Sequence, residues 1–114
     1  MRAELLKGNL NGMLLAVLSS GELHGYAIIE TLRERSEGHV NLPSGTVYPA
    51  LHRLEAAGLV SSDWQSHGGR KKRVYAITPA GERALSDNQR TWREVARTMS
   101  AVLFGGAADT NNRT

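Results

Sequence analysis

Residues 43–60 read Pro43-Ser44-Gly45-Thr46-Val47-Tyr48-Pro49-Ala50-Leu51-His52-Arg53-Leu54-Glu55-Ala56-Ala57-Gly58-Leu59-Val60. Val47, Leu51 and Leu54 recur at i, i+4 and i+7, the spacing of one buried stripe on an α-helix. Ser44 is the expected N-cap of this helix, and Gly58 the glycine just past its end at Ala57. Pro49 is expected near the first turn, where few intrahelical bonds are lost. Burying the stripe leaves Ser44, Thr46, Tyr48, Pro49, His52 and Arg53 toward solvent, most of them in the first two turns.

The stretch that follows is read as a β-hairpin. Val60, Ser62 and Trp64 alternate along residues 59–65, as on one face of a strand. Ser66-His67-Gly68-Gly69 is expected to make the turn, its glycines permitting positive φ, and Val74-Tyr75-Ala76-Ile77 to return. Arg70-Lys71-Lys72-Arg73 then falls at the hairpin tip. Residues 43–78 hold five Lys or Arg against two acids, and the rest of the chain holds nine against nine. The whole net charge of +3 therefore belongs to this segment, as expected of a localised polyanion-binding face. A basic run in isolation equally fits a solvated loop, so the preceding helix has to decide.

A helix fits the DNA major groove, where every base pair presents a distinct pattern of donors, acceptors and methyls. Helix-turn-helix proteins use the N-terminal part of such a helix for base and phosphate contacts. Ser44 and Thr46 are suited to phosphate oxygens, together with the helix N-terminal amides. Tyr48 and His52 share a face and are placed for base edges or the backbone. Arg53 suits a guanine, a phosphate, or an ion pair with Glu37 or Glu55. The cations at the hairpin tip would add affinity and register through phosphates rather than sequence choice.

Upstream, Leu5, Leu6, Leu10, Met13, Leu14, Val17 and Leu18 predict a first helix over residues 4–19. Gly8 and Gly12 lie inside it, four apart, each costing ~1 kcal/mol relative to Ala. They mark either close approach of another backbone or simply a weak helix. Tyr26 to Glu37 is predicted as a second helix, with Ala27, Ile28, Ile29 and Leu32 inward. Val40-Asn41-Leu42 is expected to be a short extended piece, since Leu42 precedes a proline.

Downstream, Thr78 is the expected cap of a fourth helix, with Pro79 at its first position. Leu85, Asn88, Trp92, Val95, Met99 and Val102 follow heptad spacing, a seam suited to a partner chain. Asn88 would be the polar residue that fixes its register; the alternative is packing within the monomer. The fold class is mainly α with a small β-hairpin wing. The expected division is 1–78 as the DNA-binding domain, 79–104 as a dimerisation helix and 105–114 as a disordered tail.

Composition narrows the remaining classes. The 114 residues are 40% apolar and 22% charged, ordinary for a globular chain. There is no cysteine, which excludes disulfides, thiolate zinc sites and Cys nucleophiles. The longest apolar run, Met13 to Leu18, is far short of the ~20 residues that span a bilayer. No signal-peptide pattern opens the chain, so a cytoplasmic, nucleoid-associated protein is expected. His24, His39, His52 and His67 are never at ligand spacing on one helix, although a metal-responsive repressor with a site built between chains stays open. No phosphate-binding glycine loop, nucleophile elbow or His-Glu-x-x-His supports an enzyme. A winged helix used only as a protein-interaction module is opposed by the adjacent cations.

The block Gly45–Val60 closely resembles the signature of PadR-type winged-helix transcriptional regulators. Gly68-Gly69-Arg70-Lys71-Lys72-Arg73-Val74-Tyr75 and Ile77-Thr78-Pro79-Ala80-Gly81 extend the likeness. His24-Gly25-Tyr26-Ala27-Ile28 is similar to the family's second helix, though His24 stands where Tyr is commoner. Pro43-Ser44-Gly45-Thr46 likewise departs from the usual Ser-Pro-Gly-Thr. With Tyr26 and Gly69, the DNA-binding set is complete. The resemblance implies the short branch with a single C-terminal helix, and a homodimer in which Leu5, Gly8, Gly12 and the seam residues meet the partner. It also implies a repressor at an inverted-repeat operator, released by a small effector; no cofactor is expected. Trp92 is similar in placement to a Trp that stacks on planar drugs in one branch, with Leu5, Gly8, Asn11 and Gly12 lining the space. The competing reading makes Trp92 a packing anchor.

Overall fold

The computed structural model describes residue 6 and residues 8–105. In chain order its elements are α1 (Leu10–Leu18), β1 (Leu23–His24), α2 (Gly25–Arg35), α3 (Ser44–Ala56), β2 (Val60–His67), β3 (Arg70–Ile77) and α4 (Pro79–Leu103). The strands make one antiparallel sheet in the order β1-β3-β2. This is a winged helix-turn-helix with a long C-terminal helix, mainly α with a small hairpin wing. The stripe Val47, Leu51 and Leu54 is buried, as its spacing requires. It packs with Leu14, Leu18, Ile28, Val60 and Tyr75 in one core. Each such side chain removed from water stabilises the fold by ~1.5–3 kcal/mol.

The start of α3 differs from expectation by one residue. Pro43, not Ser44, is the N-cap, in an extended conformation, and its carbonyl accepts from the amides of Thr46 (3.0 Å) and Val47 (3.2 Å). No side chain caps the helix, and Ser44 is its first residue. Pro49 is consequently the sixth residue of the helix, one place further in than expected and in its second turn. Its missing N–H leaves the Gly45 carbonyl without its i+4 partner.

The first helix is interrupted where its apolar pattern predicts continuity, Leu6 being helical ahead of the break. Gly8 and Asn9 form a turn, and α1 begins at Leu10. Asn9 makes no side-chain cap; its amide instead exchanges two hydrogen bonds with the amide of Asn88, at 3.2 and 2.8 Å. Gly12 is required by that pair, because a Cβ there would stand 2.5 Å from Asn88 Oδ1. Gly8 faces open space in the single chain, and Leu5 lies outside the described residues.

The connection into α3 also departs from the sequence reading. The Nδ1 atom of His24 caps α2 by accepting from the Ala27 amide at 3.3 Å. The helix stops at Arg35, and Glu37 and Gly38 follow with positive φ. Val40-Asn41-Leu42 forms no strand. Val40 is buried with its amide bound by Ser36 Oγ at 2.8 Å. The third strand is Leu23–His24, which pairs with Tyr75 and Val74 along the free edge of β3.

The hairpin is longer and its turn tighter than expected. His67 pairs with Arg70, so only Gly68 and Gly69 form the loop, at φ 58° and 80°. A two-residue loop with both φ positive matches the right-handed twist of the strands, and glycine adopts it without strain. The cations Arg70 to Arg73 therefore run down β3 on alternating faces, and only Arg70 adjoins the tip.

One junction ties α3, the wing and α4 together. Gly58 (φ 79°) ends α3, and the Leu59 amide donates back to the Leu54 carbonyl at 3.0 Å. The Thr78 amide donates to Leu59 O at 3.1 Å, and its hydroxyl donates to Gly58 O at 2.7 Å. The same hydroxyl accepts from the Gly81 amide at 3.0 Å, capping α4 with Pro79 in the first turn as expected. Leu85 is buried in the core, but every residue from Gln89 to Met99 is exposed. No described helix is long and apolar enough to cross a membrane. The expected tail lies, beyond Gly105, outside the described residues.

Gly81 is pressed against the Leu59 carbonyl, whereas nothing stands within 4 Å of a Cβ built on Gly45. Gly81→Ala should therefore lower stability by ~1–3 kcal/mol, and Gly45→Ala should leave it within ~1 kcal/mol. Urea denaturation midpoints of the two variants check this; equal midpoints would mean that the junction yields.

Candidate nucleic-acid interface

α3 offers one continuous solvent face. Ser44, Gly45, Pro49, His52 and Arg53 are exposed, and Thr46 and Tyr48 are half-buried. The helix N-terminus adds unpaired amides and a partial positive charge at the same end. Tyr48 does not share this face as freely as expected. Its ring lies directly on Gly25, where any Cβ would collide with it, so it also locks α2 to α3.

The wing cations divide into two kinds. Arg73 turns inward: its Nε donates to Ser62 Oγ at 3.0 Å, and a guanidinium nitrogen lies 3.9 Å from Glu55 Oε2. Ser62 Oγ itself donates to Glu55 Oε2 at 2.8 Å. The guanidinium also sits 5.3 Å from the centre of the Trp64 ring, its cross-strand neighbour. Arg73 is therefore not a free tip cation as expected, and of the alternatives open for Arg53 the pair with Glu55 is not formed, because Glu55 faces Arg73. Among the described residues no carboxylate pairs with Arg53, Arg70, Lys71 or Lys72.

Between the wing and the N-termini of α2 and α3 lies an open groove of about 430 Å³. Tyr26, Tyr48 and Trp64 supply ring surface, Tyr75 lies among its lining residues, and Lys71 and Lys72 bring positive charge. Tyr26 is 61% exposed and Trp64 60%. Tyr26 was expected at the DNA face; Trp64 was not. The alternation of residues 60–64 marks Trp64 as an ordinary strand position, and only the register that sets it opposite Arg73 distinguishes it. Burial raises the Tyr75 hydroxyl pKa above the ordinary 10.0, while the nearby Arg73 charge works in the opposite direction.

The seam residues also divide. Leu85 and Asn88 belong to the chain's own packing, whereas Trp92, Val95, Met99 and Val102 form an exposed apolar row. Asn11 is exposed and Gly12 is covered by Asn88. No group of three or more His, Asp or Glu among the described residues is placed to hold a metal ion.

Comparison with known proteins gives a consistent result. The model of the transcriptional regulator PadR-like family matches residues 14–87. Transcriptional regulator Rv3488 of Mycobacterium tuberculosis is 39% identical over 92 residues, which is 81% of this chain and 79% of that protein. A PadR-like transcriptional regulator from Bacillus cereus is similar in structure, with a TM-score of 0.78 and 29% identity over 88% of this chain and 96% of its own. A PadR family transcription regulator from Clostridium difficile gives a TM-score of 0.76 and 29% identity, covering 83% of this chain and 98% of its own.

The raised pKa of Tyr75 has a consequence at alkaline pH. The folded chain holds this proton more tightly than the unfolded chain does. The associated stability is therefore complete below the unfolded value of 10.0 and is lost as pH rises through the folded value. Urea unfolding across that range should show a steeper loss for the parent chain than for Tyr75→Phe. Parallel declines would place the Tyr75 hydroxyl in contact with water.

Proposed function

The chain belongs to the PadR-like family of transcriptional regulators, and from that premise we propose that it binds duplex DNA as a homodimer and represses transcription at an inverted-repeat operator. Members of this family are regulators rather than enzymes. The observation that carries the reading is the exposed N-terminal face of α3 standing beside Arg70, Lys71 and Lys72, which no carboxylate among the described residues pairs. In this reading α3 enters the major groove, with His52 and Arg53 toward base edges and Ser44 and Thr46 on phosphates. Arg70, Lys71 and Lys72 neutralise the adjoining backbone, and Gly69 lets the hairpin turn close against it. A module for protein contacts alone would leave those cations without purpose. Acting on DNA places the protein in the cytoplasm, at the nucleoid.

Dimerisation is assigned to α4, with residues 1–78 as the reading head and 79–104 as the pairing helix. The support is the row Trp92, Val95, Met99 and Val102, the last 75% exposed, on a helix that its own domain covers only at its start. Two heads joined in this way would address half-sites about one helical turn, ~34 Å, apart. The same row supports an effector reading in which a planar aromatic compound stacks on Trp92 between the copies, in a space that Leu5, Gly8, Asn11 and Gly12 of the first helix would line. Its release of the operator would follow from a preference for one arrangement of the two heads.

Two measurements test these assignments. In a mobility shift at two salt concentrations, duplex DNA from upstream of the gene should be retarded at low salt. Lys71→Ala/Lys72→Ala should weaken binding by roughly ten- to a hundredfold at moderate salt and reduce the salt slope by about two. An unchanged slope would reject the wing contacts. Sedimentation at micromolar concentration should return a dimer, and Val95→Glu/Met99→Glu should give a folded monomer; a monomeric parent chain would reject the seam.

A further inference from the structure

The groove between α3 and the wing combines features that neither base reading nor charge neutralisation uses. Trp64 stands outside the core cluster, yet Arg73 holds its ring in place through the clasp to Ser62 and Glu55. A large apolar ring kept in solvent on a rigid strand forgoes burial that would stabilise the fold, so an occupant that covers it gains that area. We infer that one sugar–phosphate strand of the duplex lies in this groove, with Trp64 packed against a deoxyribose while Tyr26, Tyr48, Lys71 and Lys72 engage the flanking phosphates. The inference rests on the DNA-binding reading above and names a contact that the reading does not contain.

Geometry and chemistry agree on this occupant. When α3 lies in the major groove and the wing reaches past the groove edge, the element between them is one backbone strand. A backbone strand alternates anionic phosphate with apolar sugar. The groove sets phenol hydroxyls and ammonium groups beside an indole face in the same space of about 430 Å³. Arg73 is withheld from phosphate by Glu55, so its role here is to position Trp64 rather than to touch DNA. Because the occupant is backbone, the contact is independent of sequence, and any duplex serves as the probe.

The test uses the full chain and a mixed-sequence duplex of about three helical turns at low salt. The chain has two tryptophans, so Trp92→Phe leaves Trp64 as the only one. Saturation with the duplex should then reduce acrylamide quenching of Trp64 several-fold. In separate titrations Trp64→Ala should lose affinity by about tenfold with the slope of log K against log salt unchanged, since an apolar contact releases no counterions. Trp64→Phe should retain most of that affinity. Equal quenching with and without duplex would overturn the inference, as would an unaltered affinity of Trp64→Ala. A loss of affinity accompanied by a lower salt slope would also overturn it, because that reports displaced cations. If Trp64→Ala does not fold, the quenching measurement decides, since that variant keeps Trp64. A parent chain that binds no duplex at all would remove the underlying reading instead, which separates the two failures.

Discussion

The hydroxyl of Thr78 is the point on which the architecture depends. It donates to Gly58 O at the end of α3 and accepts from the Gly81 amide at the start of α4. Both bonds satisfy backbone groups that a helix end leaves unpaired, a cap worth ~1 kcal/mol on its own. Their combined effect is geometric. The end of α3, the base of the wing and the start of α4 meet within a few residues, and Gly81 lets α4 sit directly on the Leu59 carbonyl. The orientation of α3 relative to α4 is therefore set by hydrogen bonds and van der Waals contact rather than by a loop.

The wing shows how four adjacent cations take on different work. Arg73 is drawn to Glu55 and Ser62, a contact that pins the hairpin to the last turn of α3. Half-exposed and 3.9 Å apart, the ion pair adds little stability by itself. Its value lies in rigidity, because Trp64, Ser62 and Glu55 all constrain one guanidinium. Among the described residues Arg70, Lys71 and Lys72 have no carboxylate partner, so of the four only Arg73 is tied to the protein by an ion pair.

Features set by local rules were legible in the sequence, and features set by distant partners were not. The stripe Val47, Leu51, Leu54, the glycine stop at Gly58 and the Thr78 cap depend on spacing within one or two turns. The break before α1 depends on Asn88, 79 residues away, which takes the Asn9 side chain out of local competition. β1 is two residues long and has no period to detect. Arg73 and its neighbours look alike in sequence; only the strand register sets one of them against Trp64. The exposed face of α3 was readable residue by residue, yet the packing of Tyr48 on Gly25 was hidden because the partner lies on another helix.

The long helix also has a mechanical meaning. α4 is held by its own domain near Leu85 and Asn88 and runs free to Leu103. At 1.5 Å per residue that free arm is about 22 Å long, so a tilt of about 10° at the Asn9–Asn88 clasp moves its far end by about 4 Å. The two amides that form the clasp thus sit at the fulcrum of a gear. Any sub-ångström change beside Gly12 would be multiplied along the arm, and there the close approach of Gly12 and the reciprocal amide pair hold the pivot.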